Sequence, residues 1–216
     1  MPTLEFHCHT LYSKDSLLRP EALLAACRRK GIDKVVITDH NSIAGARAAQ
    51  VLDPQRVIIG EEILTTQGEL LAAFVREEIP ARLPPLEAIA RLRAQGAFIS
   101  VSHPFDRLRG WQFSALQEIL PLVDALEIFN ARCLTNEPNL RAEACARQNG
   151  LLATVGSDAH TAWELGRAVL DLPPFEDAAG LKAVLPAAQF RTRLSSPLIH
   201  LSSRYAVMVK KLMSRR

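Results

Sequence analysis

The chain has 216 residues, 48% of them hydrophobic and 23% charged, with a formal net charge of +3. These values are those of one ordinary globular domain with room for a substantial core. No apolar run approaches the roughly 20 residues that cross a bilayer, and no basic-then-apolar pattern of a signal peptide opens the sequence. A transmembrane or secreted protein is therefore not expected.

The cysteines indicate a reducing compartment. Cys8, Cys27, Cys133 and Cys145 show no C-x-x-C spacing, which argues against a disulfide framework or a zinc knuckle. We expect four free thiols and a cytoplasmic location.

Short apolar runs alternate with helical patterns, as in βα units around a parallel sheet. Strands are predicted at residues 4–7, 34–38, 56–60, 69–75, 98–102, 125–129 and 151–155, with 63–66 as a candidate hairpin partner of 69–75. Helices are predicted at 20–29, 42–51, 84–95 and 137–148. Pro20 opens the first helix and Gly31 ends it.

Polar residues of metal-binding type follow these strands. His7 and His9 are two residues apart, as are Asp158 and His160, and residues at i and i+2 of an extended chain point the same way. Between these pairs lie the segments 38–41, 61–62 and 103–104. Five of the six histidines fall in such segments, with only His200 outside. The carboxyl ends of the strands in α/β folds carry the functional loops, so a divalent metal site is predicted there.

These motifs together resemble a known superfamily. His7-Cys8-His9-Thr10 with Ser13 and Asp15, Thr38-Asp39-His40-Asn41, Gly60-Glu61-Glu62-Ile63, His103-Pro104 and Ser157-Asp158-Ala159-His160 are similar, in order, to the motifs of the polymerase-and-histidinol-phosphatase (PHP) superfamily. The resemblance runs from residue 4 to about 166. It implies an α/β fold, a distorted (β/α)7 barrel with a metal site at the C-terminal mouth. Residues 1–190 would form this barrel domain, and 191–216 a basic helical extension packed on it.

The resemblance also implies a ligand set for two or three divalent ions (Mn, Fe or Zn). A first ion would be held by His7, His9, Glu62 and Asp158. Glu62 would bridge to a second, which His103 also binds, and a third would take Asp15, His40 and His160. Glu61 is the competing carboxylate, but adjacent strand residues cannot both face the mouth. Asn130 stands near the place where several trinuclear members have another histidine. Asp39 is expected to cap a helix, to orient a ligand or to bind metal.

The implied reaction is attack by a metal-activated hydroxide on a phosphate ester. No side-chain nucleophile is expected, because Ser13 and Ser157 have no free histidine as base. Asp15 and His160 are the candidate catalytic residues that protonate the leaving oxygen. Candidate substrate-binding residues are Arg107, Arg109, Asn130 and Arg132, since arginine suits bidentate phosphate binding. Trp111 would either stack on a base or pack.

The C-terminal segment differs in charge from the rest. Residues 191–216 contain seven Arg and Lys residues and no Asp or Glu, so the rest of the chain is slightly acidic. A helical stripe repeats at three- and four-residue steps: Leu198, Leu201, Tyr205, Met208 and Leu212. The stripe predicts a helix packed on the barrel, with a membrane surface or an anionic partner as the alternative.

The leading functional interpretation is a metal-dependent phosphoesterase acting on a small phosphomonoester, a nucleotide or a short oligonucleotide end. The alternatives are a metal-dependent C–N hydrolase and a PHP metal-binding module that serves a partner protein. A carboxylate-rich site in a mildly acidic body does not predict an extended nucleic-acid surface. The sequence does not predict an oligomeric state.

Overall fold

The computed structural model describes residues 1–213, which form a nine-stranded sheet flanked by helices. The strands are β1 (Thr3–Cys8), β2 (Lys34–Ile37), β3 (Val57–Leu64), β4 (Glu69–Ala73), β5 (Phe98–Val101), β6 (Ala125–Asn130), β7 (Leu152–Gly156), β8 (Ala168–Asp171) and β9 (Gln189–Thr192). The helices are α1 (Pro20–Lys30), α2 (Ala44–Leu52), α3 (Pro85–Ala94), α4 (Phe113–Ile119), α5 (Glu137–Gln148), α6 (Ala178–Val184) and α7 (Ile199–Met213).

The first seven strands curl into a nearly closed barrel, as expected. The sheet order is β7-β6-β5-β4-β3-β2-β1-β8-β9, and β4 alone among the seven runs antiparallel to its neighbours β3 and β5. The outer two of these seven strands, β1 and β7, approach each other at their carboxyl ends, where the His9 N–H donates to the Ala159 carbonyl at 2.8 Å. The reversal of β4 is the distortion in this barrel, and it brings the start of β4 to the mouth.

Local sequence explains the elements that were predicted. Pro20 stands at the start of α1, and Gly31 ends it in the left-handed conformation, with φ of 67°. The hairpin of β3 and β4 is present, with Leu64 paired to Glu69. The pattern did not predict α4, β8, α6 or β9, which are short or lie after the last motif.

Three apolar clusters hold the barrel together. Inside the sheet, Phe6 and Phe98 pack edge to face with ring centroids 5.7 Å apart. A second cluster lies under α1 and α2, and a third under α3, α4 and α5. Each fully buried large apolar side chain stabilises the fold by about 1.5–3 kcal/mol relative to exposure.

The C-terminal segment crosses the mouth of the barrel. The Ser195 N–H donates to the Ala131 carbonyl at 2.7 Å, and Lys210 Nζ donates to the carbonyls of Leu11 and Ser13. Ala206 is the buried residue of α7. The predicted apolar stripe does not pack on the barrel: its five residues are 52–72% exposed. The helix instead contacts the loops of the mouth through its small and polar face, at Ser203, Ala206 and Lys210.

Within the described residues, no helix is both long and apolar enough to cross a membrane. All four cysteines are free and buried.

Candidate metal centre

The eight predicted metal ligands come together at the mouth. They arise from the carboxyl ends of β1, β2, β3, β5 and β7 or from the loops that follow: His7, His9, Asp15, His40, Glu62, His103, Asp158 and His160. Most are buried, whereas Asp15 keeps 18% of its side chain exposed. Parallel strands bring residues that are far apart in sequence to one edge of the sheet.

Two imidazoles and two carboxylates form the deepest part of the centre. The Nε2 atoms of His7 and His9 are 3.1 Å apart. Each lies 3.4 Å from Glu62 Oε2, and they lie 3.7 and 3.3 Å from Asp158 Oδ1. Four donor atoms facing one another at such distances match the set implied for the first ion.

The remaining ligands flank this group on two sides. Glu62 reaches His40 Nδ1 at 3.0 Å through Oε2 and His103 Nε2 at 3.2 Å through Oε1. Asp15 Oδ2 lies 3.5 Å from His40 Nε2 and 3.2 Å from His160 Nε2. Glu62 thus faces imidazoles on two sides, and Asp15, His40 and His160 form a separate corner.

Glu69 also belongs to the centre, although sequence reasoning missed it. Its carboxylate oxygens lie 3.3 Å from His103 Nε2 and 3.7 Å from His40 Nδ1. With His40 and Glu62 it forms one of the groups able to hold a metal ion. Glu69 is the first residue of β4, the strand that runs in the opposite direction. The amino end of β4 therefore lies at the mouth, where the other six strands of the barrel have their carboxyl ends. The hairpin predicted at 63–75 was the signal that could have revealed it.

Hydrogen bonds orient three imidazoles so that Nε2 points inward. The Nδ1 atom of His7 lies 2.8 Å from Glu127 Oε1, that of His9 lies 3.1 Å from Ser13 Oγ, and that of His160 lies 2.9 Å from the Asp158 carbonyl. A carboxylate and a carbonyl only accept, so in the neutral form of His7 and His160 the proton is on Nδ1 and Nε2 has the lone pair that can bind a metal ion. Metal-binding histidines are generally held in this way.

Glu127 is a second residue that the sequence analysis missed. It is buried, and besides His7 its carboxylate accepts from the backbone N–H of His103 at 2.8 Å. Gly156 allows this approach, since a Cβ there would lie 2.4 Å from the His7 Cβ and 2.5 Å from Glu127 Oε1. Glu127 therefore fixes two ligands without facing the donor atoms of the centre.

Asp39 and Glu61 lie outside the ligand set. Asp39 accepts from the Thr10 N–H and hydroxyl, both at 2.6 Å, and from Ser13 Oγ at 2.7 Å, so it orients the loop after β1. Glu61 points away from the mouth and accepts from the Ile79 N–H at 3.0 Å. Burial raises the pKa of Glu61 to about 8.

The donor set fits a divalent cation. Buried oxygen atoms of Asp15, Glu62 and Asp158 have no hydrogen-bond partner in the described structure, a costly arrangement unless a positive charge compensates it. Two ligand positions, His103 and Asp158, also have the left-handed backbone conformation, with φ of 25° and 51°, which tends to mark functional sites. Mixed imidazole and carboxylate donors suit Mn²⁺, Fe²⁺ or Zn²⁺.

The protonation of the imidazoles agrees with this fit. Burial and the charges of neighbouring histidines lower the pKa of His9 to about 3, so His9 is neutral and able to bind a cation. Burial acts the same way on His7, but the carboxylates of Glu62, Glu127 and Asp158 outweigh it and raise the pKa of His7 well above its usual value. Positive charge is therefore favoured between these groups, whether a proton or a metal ion carries it.

The predicted substrate-binding residues have different surroundings. Arg109 donates to Asp158 Oδ2 at 2.6 Å and keeps 31% of its side chain exposed, so it faces both the centre and the opening. Arg107 is exposed. Arg132 and Asn130 are buried and were expected to contact substrate.

The interactions of Arg132 and Asn130 are instead internal. Arg132 pairs with Glu164 at 3.2 Å and donates to Ser203 Oγ at 2.9 Å. Asn130 donates through Nδ2 to Asp158 at 3.2 Å and accepts the Arg132 N–H through Oδ1. Its amide therefore supports a ligand and does not occupy a ligand position.

Two further residues lie near the opening. Trp111 packs, since it is 9% exposed and its Nε1 donates to the Glu69 carbonyl at 3.1 Å. His200, which the sequence analysis placed outside the predicted metal ligands, lies on α7 near Arg132 and Arg109. Burial and the charges of these two arginines lower the pKa of His200.

The serine hydroxyls at the mouth are hydrogen-bonded to carboxylates, and the nearby cysteine thiol is buried and protonated. Ser13 Oγ donates to Asp39, and Ser157 Oγ donates to Glu5 Oε2 at 2.5 Å. Cys8 is fully buried, and burial together with the charge of Glu5 raises the pKa of its thiol well above the usual value. These groups lack the base or the exposure that a nucleophile requires.

The order and geometry of these ligands agree with comparisons of the whole sequence. Residues 5–79 match the family described as PHP domain, and residues 136–190 match the one described as PHP-associated. Over 173 residues the chain is 41% identical to the uncharacterized protein MJ0417 of Methanocaldococcus jannaschii, covering 77% of this chain and 69% of that protein. The chain belongs to the PHP family. Its ligand motifs lie largely within the PHP domain match.

Solved structures share the PHP fold at low sequence identity. PsfC from Pseudomonas syringae PB-5123 is 19% identical, with a TM-score of 0.69 over 96% of this chain and 98% of that one. A Bifidobacterium adolescentis protein, provisionally described as a metal-dependent phosphoesterase, is 17% identical, with a TM-score of 0.60 over 74% and 88%. An amidohydrolase from Chromobacterium violaceum is 14% identical, with a TM-score of 0.62 over 79% and 92%. The family and these folds identify a PHP-type metal-dependent hydrolase.

Proposed function

We propose that this PHP protein hydrolyses phosphate esters, acting on a small phosphomonoester, a nucleotide or a short oligonucleotide end. One observation carries the proposal. The partly exposed guanidinium of Arg109 lies beside Asp158, whose other oxygen faces the imidazoles of His7 and His9. A phosphate group that reaches the centre would therefore meet a fixed cation suited to bidentate binding.

Divalent ions would be held by the donor atoms already described, with Glu69 added to the predicted set. Such ions supply a water of lowered pKa and neutralise charge on a phosphoryl group. Their number is proposed as two or three, because Glu62 faces ligands on two sides and Asp15 forms a third corner with His40 and His160.

The chain itself would supply binding and proton transfer. Arg109 would hold the phosphate, while Asp15, the partly exposed carboxylate of the centre, lies 3.2 Å from His160 Nε2. This pair could hold a proton for the leaving oxygen, the role proposed for Asp15 and His160 from the sequence. The helix α7 contacts Arg132 and the loop after β1, both at the mouth, and its position there supports a small substrate or a chain end.

A C–N hydrolase remains the second candidate, because a structure of similar fold is an amidohydrolase. Arginine beside the ligand carboxylate favours an anionic substrate over a neutral amide. The third alternative, a metal-binding module serving a partner, has less support because the donor set is complete and an opening with Arg109 leads to it.

The test is a hydrolysis screen of matched metal-free and metal-loaded protein. Chelation should abolish turnover, and Mn²⁺, Fe²⁺ or Zn²⁺ should restore it, with metal content measured on the same samples. Phosphate mono- and diesters should be cleaved and amides and cyclic ureides should not. Circular dichroism would confirm that the metal-free protein stays folded. Full phosphatase activity in folded, verified metal-free protein would contradict the proposal, and turnover of amides alone would favour the second candidate.

A further inference from the structure

The outward face of α7 is apolar and basic. Leu201, Tyr205, Met208 and Leu212 recur at three- and four-residue steps and are 52–59% exposed. Arg204 and Lys211 are exposed on the same helix. A helix with an apolar stripe flanked by cations is typical of segments that lie in a lipid–water interface.

The opposite face of α7 is hydrogen-bonded to residues at the mouth, so the apolar stripe faces away from the barrel. Ser203 accepts from Arg132 at 2.9 Å near one end of the helix, and Lys210 donates to Leu11 and Ser13 near the other. These two attachments are seven residues, about two turns, apart. The helix therefore presents its stripe in a set orientation relative to the metal centre.

Loops at the same end of the barrel also carry exposed large apolar side chains. Tyr12 follows β1, Leu108 follows β5, Leu134 follows β6 and Trp163 follows β7, with exposures of 46%, 83%, 58% and 86%. Exposed aromatic and aliphatic groups ringed around one end of a domain are characteristic of an interaction face, and Trp and Tyr favour the lipid headgroup region.

We infer that α7 and these four loops form a docking surface for an anionic lipid bilayer, with the mouth turned toward the membrane. Charge decides between a bilayer and a second copy of the chain. Arg204 and Lys211 are exposed beside the stripe, and α7 contains no acidic residue, so pairing two α7 faces would bring like charges together. Anionic lipid headgroups neutralise these cations while the acyl region receives the stripe. This inference is independent of the proposed reaction.

The experiment is sedimentation of the metal-loaded 216-residue chain with vesicles of phosphatidylcholine alone or mixed with phosphatidylglycerol. Binding should be at least about tenfold tighter to the anionic vesicles and should weaken with salt. The triple variant Leu201→Ser, Tyr205→Ser, Met208→Ser should lose binding by about tenfold or more, since each replaced side chain contributes buried apolar area. The matched control is Val51→Ser with Leu52→Ser, exposed positions on α2 at the other end of the barrel, which should bind as wild type.

Circular dichroism and metal content would show that each variant is folded. Equal binding of wild type to both vesicle types, or unchanged binding by the triple variant, would overturn the inference. It would also be overturned if the wild type fails to bind vesicles and light scattering shows a dimer that the triple variant dissociates, because a second copy would then occupy the stripe.

Discussion

Asp158 divides the mouth into two regions with opposite hydrogen bonding. Its Oδ1 faces the imidazole cluster of His7, His9 and His160 and has no hydrogen-bond partner, whereas its Oδ2 accepts from Arg109 and Asn130. On the cluster side, the Asp158 oxygen faces imidazoles without accepting a hydrogen bond. On the arginine side, the N–H groups of Arg109 and Asn130 that face Asp158 are hydrogen-bonded to its other oxygen.

The contrast separates reactive groups from supporting ones. Burying oxygen atoms without donors is costly, so their convergence marks the place where an external cation belongs. Paired groups such as Asn130 and Arg132 instead hold the geometry of that place. Arg109 is the exception on the arginine side, because it is paired and also partly exposed to the opening.

The largest effect should come from breaking the cluster. Replacing His9 by Ala removes an inward Nε2 that lies close to both Glu62 and Asp158. We expect kcat/KM to fall by more than about 100-fold, since even partners of metal ligands cost 10–100-fold. Metal analysis should show lower content in protein that is still folded. Wild-type metal content with normal activity would remove His9 from the ligand set.

A smaller loss is expected when a ligand is kept but its orientation is weakened. In the Glu127→Gln variant the charge that holds His7 Nδ1 is lost while the size of the side chain is preserved. Metal affinity or activity should fall by about 10–100-fold. Titration of the metal-free variant with Mn²⁺ would measure the affinity. If affinity and turnover both match wild type, Glu127 is a structural carboxylate only.

Replacing the arginine beside Asp158 should weaken substrate binding. Arg109→Ala should raise KM by about tenfold, reflecting roughly 1.5 kcal/mol, the lower end of the range for a charge-assisted hydrogen bond, because Arg109 is partly exposed. Arg107→Ala is the matched control, because Arg107 is exposed, and it should change KM little. Both variants should keep their metal. Equal KM values in the two variants would make Arg109 a partner of Asp158 alone.

Glu69 should give the smallest effect of the series. Its oxygens reach two imidazoles at 3.3 and 3.7 Å, and its side chain is 14% exposed, so the other ligands should retain most of the metal. We expect Glu69→Gln to lower turnover by about threefold to tenfold, at the low end for a residue that contacts ligands. Glu77→Gln, an exposed carboxylate beyond β4, is the control. Identical turnover in the two variants would place Glu69 outside the centre.

The sequence predicts this fold well where periodicity and strand-end motifs agree. The elements through β7, apart from α4, follow from apolar runs, from Pro20 and Gly31, and from the order of the His and Asp motifs. Glu69 was missed because strand direction depends on long-range pairing, and only the reversal of β4 brings its first residue to the mouth. The internal pairing of Arg132 and Asn130 could not be predicted, because sequence position places a residue at the mouth but does not tell whether its polar atoms are already paired. The face through which α7 contacts the barrel could not be predicted, because an apolar period does not distinguish a face packed on the protein from an exposed one.

The left-handed backbone at His103 and Asp158 makes catalysis and stability oppose each other. Glycine adopts these conformations more easily than any residue with a side chain, so Asp158→Gly should unfold less readily than Asp158→Ala, by about 1 kcal/mol. In a related protein that is no longer selected for activity, glycine would therefore be tolerated at these two positions. Glycine at position 103 or 158 in a related chain would then indicate a barrel that has kept its shape after giving up its chemistry.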